Sequence, residues 1–119
     1  MVAFNFVPMF RPKIFFGTKL STIRQTQRCK VGDVMQLYVG QRTKNCEKLL
    51  DVVCCGVGTA EFSERWGMQI QPIAGNIRPS DAPFYEQEGF ESIIEFEKFF
   101  ETRYRLPFHG FVHAWRFPC

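Results

Sequence analysis

Apolar and polar residues alternate over several short stretches of the chain, which predicts a domain built mainly from strands. Met35, Leu37 and Val39 occupy every second position of the stretch 34–39, so they would share the core face of one strand. The stretch 49–59 is apolar on both faces and contains two glycines. It predicts a central strand with a bulge or a bend, because glycine interrupts regular strand pairing.

Four more stretches have the composition of strands, and they lie at 4–7, 19–24, 68–73 and 108–117. The first and the last of them would begin and end the domain. Strict alternation in the last stretch would put one set of side chains on a single face: His109, Phe111, His113, Trp115 and Phe117. We expect its two histidines to be packed or surface groups rather than catalysts.

Helical segments interrupt this series of strands. Pro12 at a first helical position and Gly17 just past the end bracket a short helix over 11–16. A second short helical stretch is predicted from Ser80 to Gln87, and Gly89 would end it.

A longer helix is predicted after Ser92, because Ser92 and Glu95 form a capping box. It would run to about Arg103, with a buried stripe made of Ile93, Phe96, Phe100 and Tyr104. Strands with helices inserted early and late favour an α+β fold, a small β-barrel with two or three flanking helices, over alternating βαβ units.

The chain of 119 residues is predicted to form one domain, 1–119, because no repeat, low-complexity tract or linker divides it. No apolar stretch approaches the roughly 20 residues that span a bilayer. The first residues show no basic region followed by an apolar stretch and a cleavage site, so no secretory signal is predicted. We therefore expect a soluble, cytoplasmic protein that does not bind membranes.

Cysteine usage predicts free thiols rather than a disulfide framework. The number of cysteines is odd, and two of them are adjacent in a predicted strand: Cys29, Cys46, Cys54, Cys55 and Cys119. Cys54 and Cys55 are expected to be buried and inert. A Cys-x-x-Cys motif is absent and the chain has only two histidines, so we expect neither a metal site nor another cofactor.

Charge is distributed unevenly along the chain. Residues 11–48 contain nine Lys or Arg against two Asp or Glu, whereas residues 49–119 contain six against ten. The basic half favours a polyanionic partner, most simply nucleic acid or a nucleotide. The alternative is a solvated surface that happens to be basic.

The densest chemistry lies in the segment 17–24, Gly-Thr-Lys-Leu-Ser-Thr-Ile-Arg. It brings an amine, hydroxyls and a guanidinium together behind one glycine, and Val-Gly-Asp at 31–33 follows with a strand after it. Such a cluster can grip a phosphate or act on a carbonyl. If 19–24 were a regular strand, however, Lys19 and Thr22 would face opposite ways, so their convergence requires Lys19 to lie in the turn.

This pattern resembles the ASCH domain, a branch of the PUA-like barrels, over almost the whole chain. Two further landmarks occur in the expected order: Glu88-Gly89-Phe90 followed by Ser92 and a helix, and the aromatic closing strand Trp115-Arg116-Phe117. The resemblance implies a PUA-like (ASCH) small β-barrel. It also implies that a cleft between the barrel and its helices binds RNA or a modified nucleoside.

Small bacterial members of this family include amidohydrolases that act on N(4)-acetylcytidine. The resemblance implies that Lys19, Thr22 and Glu88 match their proposed catalytic lysine, threonine and glutamate. Thr22 would attack the acetyl carbonyl, Lys19 would accept its proton, and Glu88 would protonate the leaving amine or orient Lys19. Attack by water, with Lys19 and Glu88 as positioning groups, is equally open.

A structural role for the same motif is an alternative. Thr22 would then bond only the barrel wall, Lys19 would be a solvated amine, and Arg24 would pair with Glu88. Some ASCH members are reported to cut RNA, so a metal-independent ribonuclease is a second enzymatic alternative. A third class is a protein-interaction module that uses the acidic helix.

Binding residues are predicted around the motif and among the aromatic side chains. The candidates for contact with RNA or a nucleoside are Arg24, Ser21, Arg28, Lys30, Tyr38 and Trp66. Tyr104 with Arg103 and Arg105 either lines a basic cleft or caps the last helix. The domain is expected to be a monomer or a weak homodimer.

Overall fold

In the computed structural model, which describes residues 1–117, six strands form one mixed sheet with short helices beside it. The strands are β1 (Val2–Phe6), β2 (Ser21–Arg24), β3 (Val34–Val39), β4 (Glu47–Ser63), β5 (Gly67–Gly75) and β6 (Phe108–Arg116). The helices are α1 (Arg11–Phe15), α2 (Phe84–Gln87) and α3 (Ile93–Arg103), and a 3-10 turn, Pro8–Phe10, precedes α1. The fold is α+β, as the pattern predicts.

β4 is the longest strand, with 17 residues, and it organises the sheet. The strand order is β1-β3-β4-β6-β2, and β5 also pairs with β4. β1 runs parallel to β3, whereas the other pairs are antiparallel. Register shifts next to Gly56 and Gly58 confirm the predicted bulge. A Cβ at position 56 would lie 2.2 Å from the carbonyl oxygen of Asn76, the residue that follows β5. A larger residue at position 56 would therefore push β4 away from the end of β5.

The core lies between the sheet and α3 and is rich in aromatic rings. The predicted core face of β3 is confirmed, because Met35, Leu37 and Val39 are all buried. On α3, Phe96 and Phe100 are buried and their rings pack edge to face. Phe100 also packs against Phe62 on β4 and Phe108 on β6, with ring centres 6.3 and 5.6 Å apart, and these contacts hold α3 against the sheet.

Two helix predictions need correction. Residues 80–83 are not helical, and α2 covers only Phe84–Gln87, because Pro83 holds the chain in an extended conformation just before the helix. Ile93 is 48% exposed instead of belonging to the buried stripe, since it is the first residue of α3 and lies beyond the core. The predicted cap is confirmed, with Ser92 Oγ accepting a hydrogen bond from the Glu95 N–H at 3.1 Å.

Two strand predictions also need correction. β2 begins at Ser21 rather than at residue 19, so Lys19 precedes the strand. β6 is not amphipathic, because side chains on both of its faces are buried. His113 and Trp115 are buried on one face, and Val112 and Ala114 are buried on the other. The reason is its central place between β4 and β2, where both faces are covered. The exposed residues His109 and Phe117 lie at its two ends.

The sheet is open between β1 and β2, since no backbone ladder joins these strands within residues 1–117. Two arginine side chains bridge them instead. Arg24 Nη2 donates to the carbonyl oxygen of Asn5 at 2.8 Å, and Arg28 Nη2 donates to that of Ala3 at 3.0 Å. Both guanidinium groups also lie over the ring of Phe4, at 5.3 and 5.2 Å. We call this junction the β1–β2 seam.

Four cysteines, Cys29, Cys46, Cys54 and Cys55, are free thiols, and Cys119 lies outside the described residues. Of the adjacent pair, Cys54 is buried as predicted, whereas Cys55 is only half-buried. Within the described residues, no helix is both long enough and apolar enough to cross a membrane.

Candidate functional site

A cavity of about 170 Å³ lies at the β1–β2 seam, where both strands meet α3 and the turn after α2. Its wall contains all three residues of the predicted catalytic set. The lining residues are Asn5, Phe6, Val7, Phe10, Lys19, Thr22, Ile23, Arg24, Glu88, Phe90, Phe99, Phe100, Arg103 and Tyr104. We call it the seam cavity.

Lys19 reaches the cavity from the turn between α1 and β2. Gly17 has a φ of 81°, which turns the chain at the end of α1. The backbone N–H groups of Thr18 and Lys19 then both donate to the carbonyl oxygen of Lys13 at 2.9 Å. Gly89 leaves room for the side chain, since a Cβ there would lie 3.0 Å from Lys19 Cδ. Lys19 therefore lies in the turn before β2, which is the position that its convergence with Thr22 requires.

The Lys19 amine is buried, with 1% of the residue exposed, so the solvated amine of the structural alternative is wrong. Its Nζ donates to the carbonyl oxygen of Ser21 at 2.7 Å and to that of Glu88. It also lies 4.5 Å from the centre of the Phe10 ring. Burial lowers the pKa of Lys19 to about 8, although the Glu88 carboxylate acts in the opposite direction.

The Glu88 carboxylate is equally buried and is held by neutral partners. Ser21 Oγ donates to Glu88 Oε2, and Gln87 Nε2 donates to Ser21 Oγ at 3.0 Å and to the carbonyl oxygen of Ile77 at 2.8 Å. Burial raises the pKa of Glu88, while Lys19 and the Ser21 hydroxyl oppose this effect. Ser21, predicted to bind ligand, does not line the cavity and instead orients Glu88.

Thr22 lines the cavity from the middle of β2 and is almost fully buried. Its neighbour across the ladder is His113 on β6. The His113 ring is buried, and its Nε2 accepts the backbone N–H of Arg28 at 3.0 Å. Burial, assisted by the positive charge of Arg24, lowers the pKa of His113 to about 4. His113 is thus a packed neutral side chain, as predicted for the histidines.

Arg24 borders the cavity from the seam. Its guanidinium is held between the rings of Phe4 and Phe6, 5.3 and 5.0 Å from their centres. Its side-chain hydrogen bond goes to Asn5, so the expected pairing with Glu88 is not formed. The half-buried guanidinium of Arg24 thus lines the same cavity as Lys19, Thr22 and Glu88.

The other predicted binding residues lie away from the cavity wall. Arg28 serves the seam, Lys30 is exposed, and Tyr38 is half-buried on β3. Trp66 is 66% exposed in the turn between β4 and β5, where Arg65 lies 4.9 Å above its ring. Arg28 thus lies at the seam beside the cavity without lining it, and Lys30, Tyr38 and Trp66 are not among the lining residues either.

Several lining residues were missed by the sequence interpretation, mainly phenylalanines that look like core positions: Phe6, Phe10, Phe90 and Phe99. Phe99 and Arg103 are four residues apart on α3, a spacing that puts both on one face, and this was the available signal. Arg103 and Tyr104 line the cavity, whereas Arg105 does not. Tyr104 is also the C-cap residue of α3, so the cleft alternative holds for Arg103 and Tyr104 but not for Arg105, and the capping alternative holds for Tyr104.

The seam cavity combines a buried amine that is readily neutral, a carboxyl group that is readily protonated and a hydroxyl between aromatic walls. Such a set can accept one proton and donate another. No protein-family model, curated protein or solved structure matches this chain. Its function therefore has to be inferred from the residues of the cavity.

Proposed function

We propose that this chain is an ASCH-type, PUA-like barrel protein, opened at the β1–β2 seam, that binds a modified nucleoside and hydrolyses the acetyl amide of N(4)-acetylcytidine. The observation that carries the proposal is the buried Lys19 amine, with a pKa near 8, in the same cavity as Thr22 and Glu88. A lysine with such a pKa is an effective base near neutral pH.

The size of the cavity supports a ligand with a single ring. A cavity of about 150 Å³ is known to hold a benzene-sized molecule, and the seam cavity measures about 170 Å³. Aromatic side chains such as Phe10 and Phe90 line it and favour a flat, conjugated group. One base therefore enters the cavity, and the rest of the nucleoside stays outside.

The proposed reaction begins with neutral Lys19, which accepts the proton of the Thr22 hydroxyl. The Thr22 oxygen attacks the acetyl carbonyl, and protonated Glu88 donates its proton to the departing N4 amine of cytidine. The Glu88 carboxylate then takes a proton from water, whose hydroxide attacks the acetyl ester on Thr22. Protonated Lys19 returns its proton to the departing Thr22 oxygen, so all three groups are restored and acetic acid is released, which ionises to acetate. Opposite pKa shifts of Lys19 and Glu88 support this division into base and acid. Direct attack by water would use the same two groups without the ester.

The test is to incubate the purified protein with N(4)-acetylcytidine and to follow cytidine and acetate by chromatography. Lys19→Met, Thr22→Val and Glu88→Gln should each lower kcat by at least about a hundredfold, in line with the loss of a general acid or base. Thr59→Val, on β4 and outside the cavity, is the matched control and should keep full activity. A protein-bound acetyl group, detected by mass spectrometry, would identify the ester route.

Absence of product with the wild-type protein over a long incubation would overturn the hydrolase proposal. A second candidate, RNA binding without turnover, is favoured by one observation: the Lys19 amine already donates to two carbonyl oxygens, as a structural lysine would. In that case RNA affinity should fall steeply with salt, and Thr22→Val should leave it unchanged.

A further inference from the structure

The seam cavity opens to solvent on one side. Only two of its lining residues are exposed, Asn5 on β1 and Arg103 at the end of α3. The other lining residues are buried or half-buried. These two residues therefore mark its mouth. We therefore expect the part of a ligand that does not fit inside to lie beside them.

A nucleoside is larger than the cavity. If one ring fills about 170 Å³, the ribose and any group on it lie at the mouth. The chemistry of Arg103 and its surroundings then decides which groups on the ribose are favoured.

Arg103 is held in place without a charged partner. Its guanidinium carbon lies 4.3 Å from the centre of the Phe99 ring, four residues earlier on the same helix. Within residues 1–117, no carboxylate lies within 4.0 Å of its nitrogens. Its donors therefore remain available, and stacking limits the conformations that binding would have to restrict.

The charge of the cavity wall also favours an anion. Two arginine side chains, Arg24 and Arg103, line it as cations with only one carboxylate, that of Glu88, while the buried Lys19 amine is partly neutral because burial lowers its pKa. Because Glu88 is buried deep in the wall and its pKa is raised, it opposes an anion at the mouth only weakly. A guanidinium presents parallel donors that match the oxygens of a phosphate.

We propose that Arg103 binds a phosphate attached to the ribose of the ligand, so that the substrate is a nucleotide or a nucleotide unit of RNA rather than a free nucleoside. This inference rests on the proposed binding of a cytidine base in the seam cavity. It adds a site at the mouth that takes no part in the cleavage of the amide.

Calorimetric titration with cytidine and with cytidine 5′-monophosphate tests the phosphate site without requiring turnover. Wild-type protein should bind the monophosphate about tenfold more tightly than the nucleoside, as expected for one exposed, charge-assisted contact. Arg103→Gln should bring this ratio close to one and leave the affinity for cytidine unchanged. Arg105→Gln, an exposed arginine two residues on and outside the wall, should keep the wild-type ratio.

A ratio near one in the wild-type protein, a ratio that Arg103→Gln does not change, or no binding of either compound would overturn the phosphate site. Deacetylation assays report on the hydrolase separately. If N(4)-acetylcytidine is hydrolysed but its 5′-monophosphate shows no advantage in kcat/KM, the proposed function stands and the phosphate site falls. If nothing is hydrolysed while the tenfold ratio of affinities is found, the phosphate site stands and the hydrolase proposal falls.

The phosphate has two possible sources, a nucleotide monoester and an RNA phosphodiester. The same Arg103→Gln and wild-type pair should be compared on N(4)-acetylcytidine 5′-monophosphate and on a short RNA with the acetylated base inside it. A loss confined to the monophosphate assigns the site to free nucleotides, and a loss on the RNA assigns it to the strand. Equal rates for both proteins on both substrates would contradict the proposal.

Discussion

Lys19 and Glu88 are joined through the main chain rather than by a direct ion pair. The Lys19 amine donates to the carbonyl oxygen of Glu88, whereas the Glu88 carboxylate accepts from Ser21. Burial therefore acts on each group with only partial compensation by the other, which lowers the pKa of Lys19 and raises that of Glu88. Both shifts increase the fraction of each group that is neutral.

If neutral Lys19 is the base, turnover should depend on pH with a definite sign. As long as Glu88 keeps its proton, kcat/KM should rise about tenfold per pH unit below the Lys19 pKa of about 8, because the neutral fraction of the amine rises by that factor. Loss of the proton from Glu88, the proposed acid, adds a descending limb to the curve. Initial rates measured at constant ionic strength from about pH 6 to about pH 10 would show it.

Lys19 and Glu88 titrate as a coupled pair, so the inflections of this curve belong to the pair rather than to one residue. The Glu88→Gln variant gives the control, since any residual activity should then show a single ascending limb. A profile of the Glu88→Gln variant that is flat between pH 6 and pH 8 would contradict a role for Lys19 as the base.

Ser21→Ala should destabilise the protein. The substitution removes the donor to the buried Glu88 carboxylate and leaves Gln87 Nε2 with one partner fewer. A loss of about 1–3 kcal/mol in the free energy of unfolding is expected for such an unsatisfied group, measured by urea titration at pH 7. Ser63→Ala, at the half-buried last residue of β4, should cost less than about 1 kcal/mol. Equal losses for both variants would remove Ser21 from its supporting role.

At the scale of the elements, α3 links stability to the site. Its first residues are capped by Ser92, and its last residues bring Phe99, Arg103 and Tyr104 to the cavity. A destabilised α3 should therefore lower the stability of the fold and also position Arg103 less firmly at the mouth of the cavity.

Ser92→Ala removes the side-chain acceptor of the Glu95 N–H and should lower the free energy of unfolding by about 1 kcal/mol. Ser92→Asp should retain the wild-type value, because aspartate is an equally good cap and carries a favourable charge at a helix start. Thermal and urea unfolding of the three proteins would test this order. If alanine and aspartate behave alike, the cap contributes nothing.

Local patterns were sufficient for some elements and insufficient for others. The alternation of Met35, Leu37 and Val39 predicted β3, and the Ser92 cap predicted the start of α3, because both signals arise within a few residues. The extent of α2 was overestimated because Pro83 outweighed the general helical composition before it. The alternation in β6 failed for another reason: a strand covered on both faces has no polar side.

The candidate site was predicted only in part, for a similar reason. The resemblance to the ASCH domain pointed to Lys19, Thr22 and Glu88, and all three line one cavity. The aromatic wall of the cavity and the β1–β2 seam depend on contacts between segments that are distant in the sequence, and no local pattern reveals such contacts. The hydrogen bond from Arg24 to Asn5 is an example at the seam. Trp66 is conspicuous in the sequence but lies in a distant turn.

At the scale of the whole molecule, buried neutral groups should set the stability of the fold in acid. His113 is enclosed by the sheet, and its Nε2 accepts a hydrogen bond, so a proton there would break that bond and charge the interior. Its pKa is about 4 in the folded protein against an ordinary value near 6.5. The resulting stability is present above pH 6.5 and is lost as the pH falls towards 4.

The free energy of unfolding should therefore fall more steeply between pH 6.5 and pH 4 in the wild-type protein than in His113→Gln, whatever the stability of the variant at pH 7. His109→Gln, at an exposed position, should follow the wild-type slope. If His113→Gln does not fold, the NMR titration of His113 in the wild-type protein gives the answer. A midpoint near 6.5 would contradict the prediction.

The β1–β2 seam has a consequence for how such a protein changes over generations. A backbone ladder can be altered only by shifting a whole strand, but this junction depends on the side chains of Arg24 and Arg28. A single codon change at either position can widen or narrow it while the register of every strand is kept. Ligand size is thus open to selection one step at a time, without the loss of folding that a change in the sheet itself would bring.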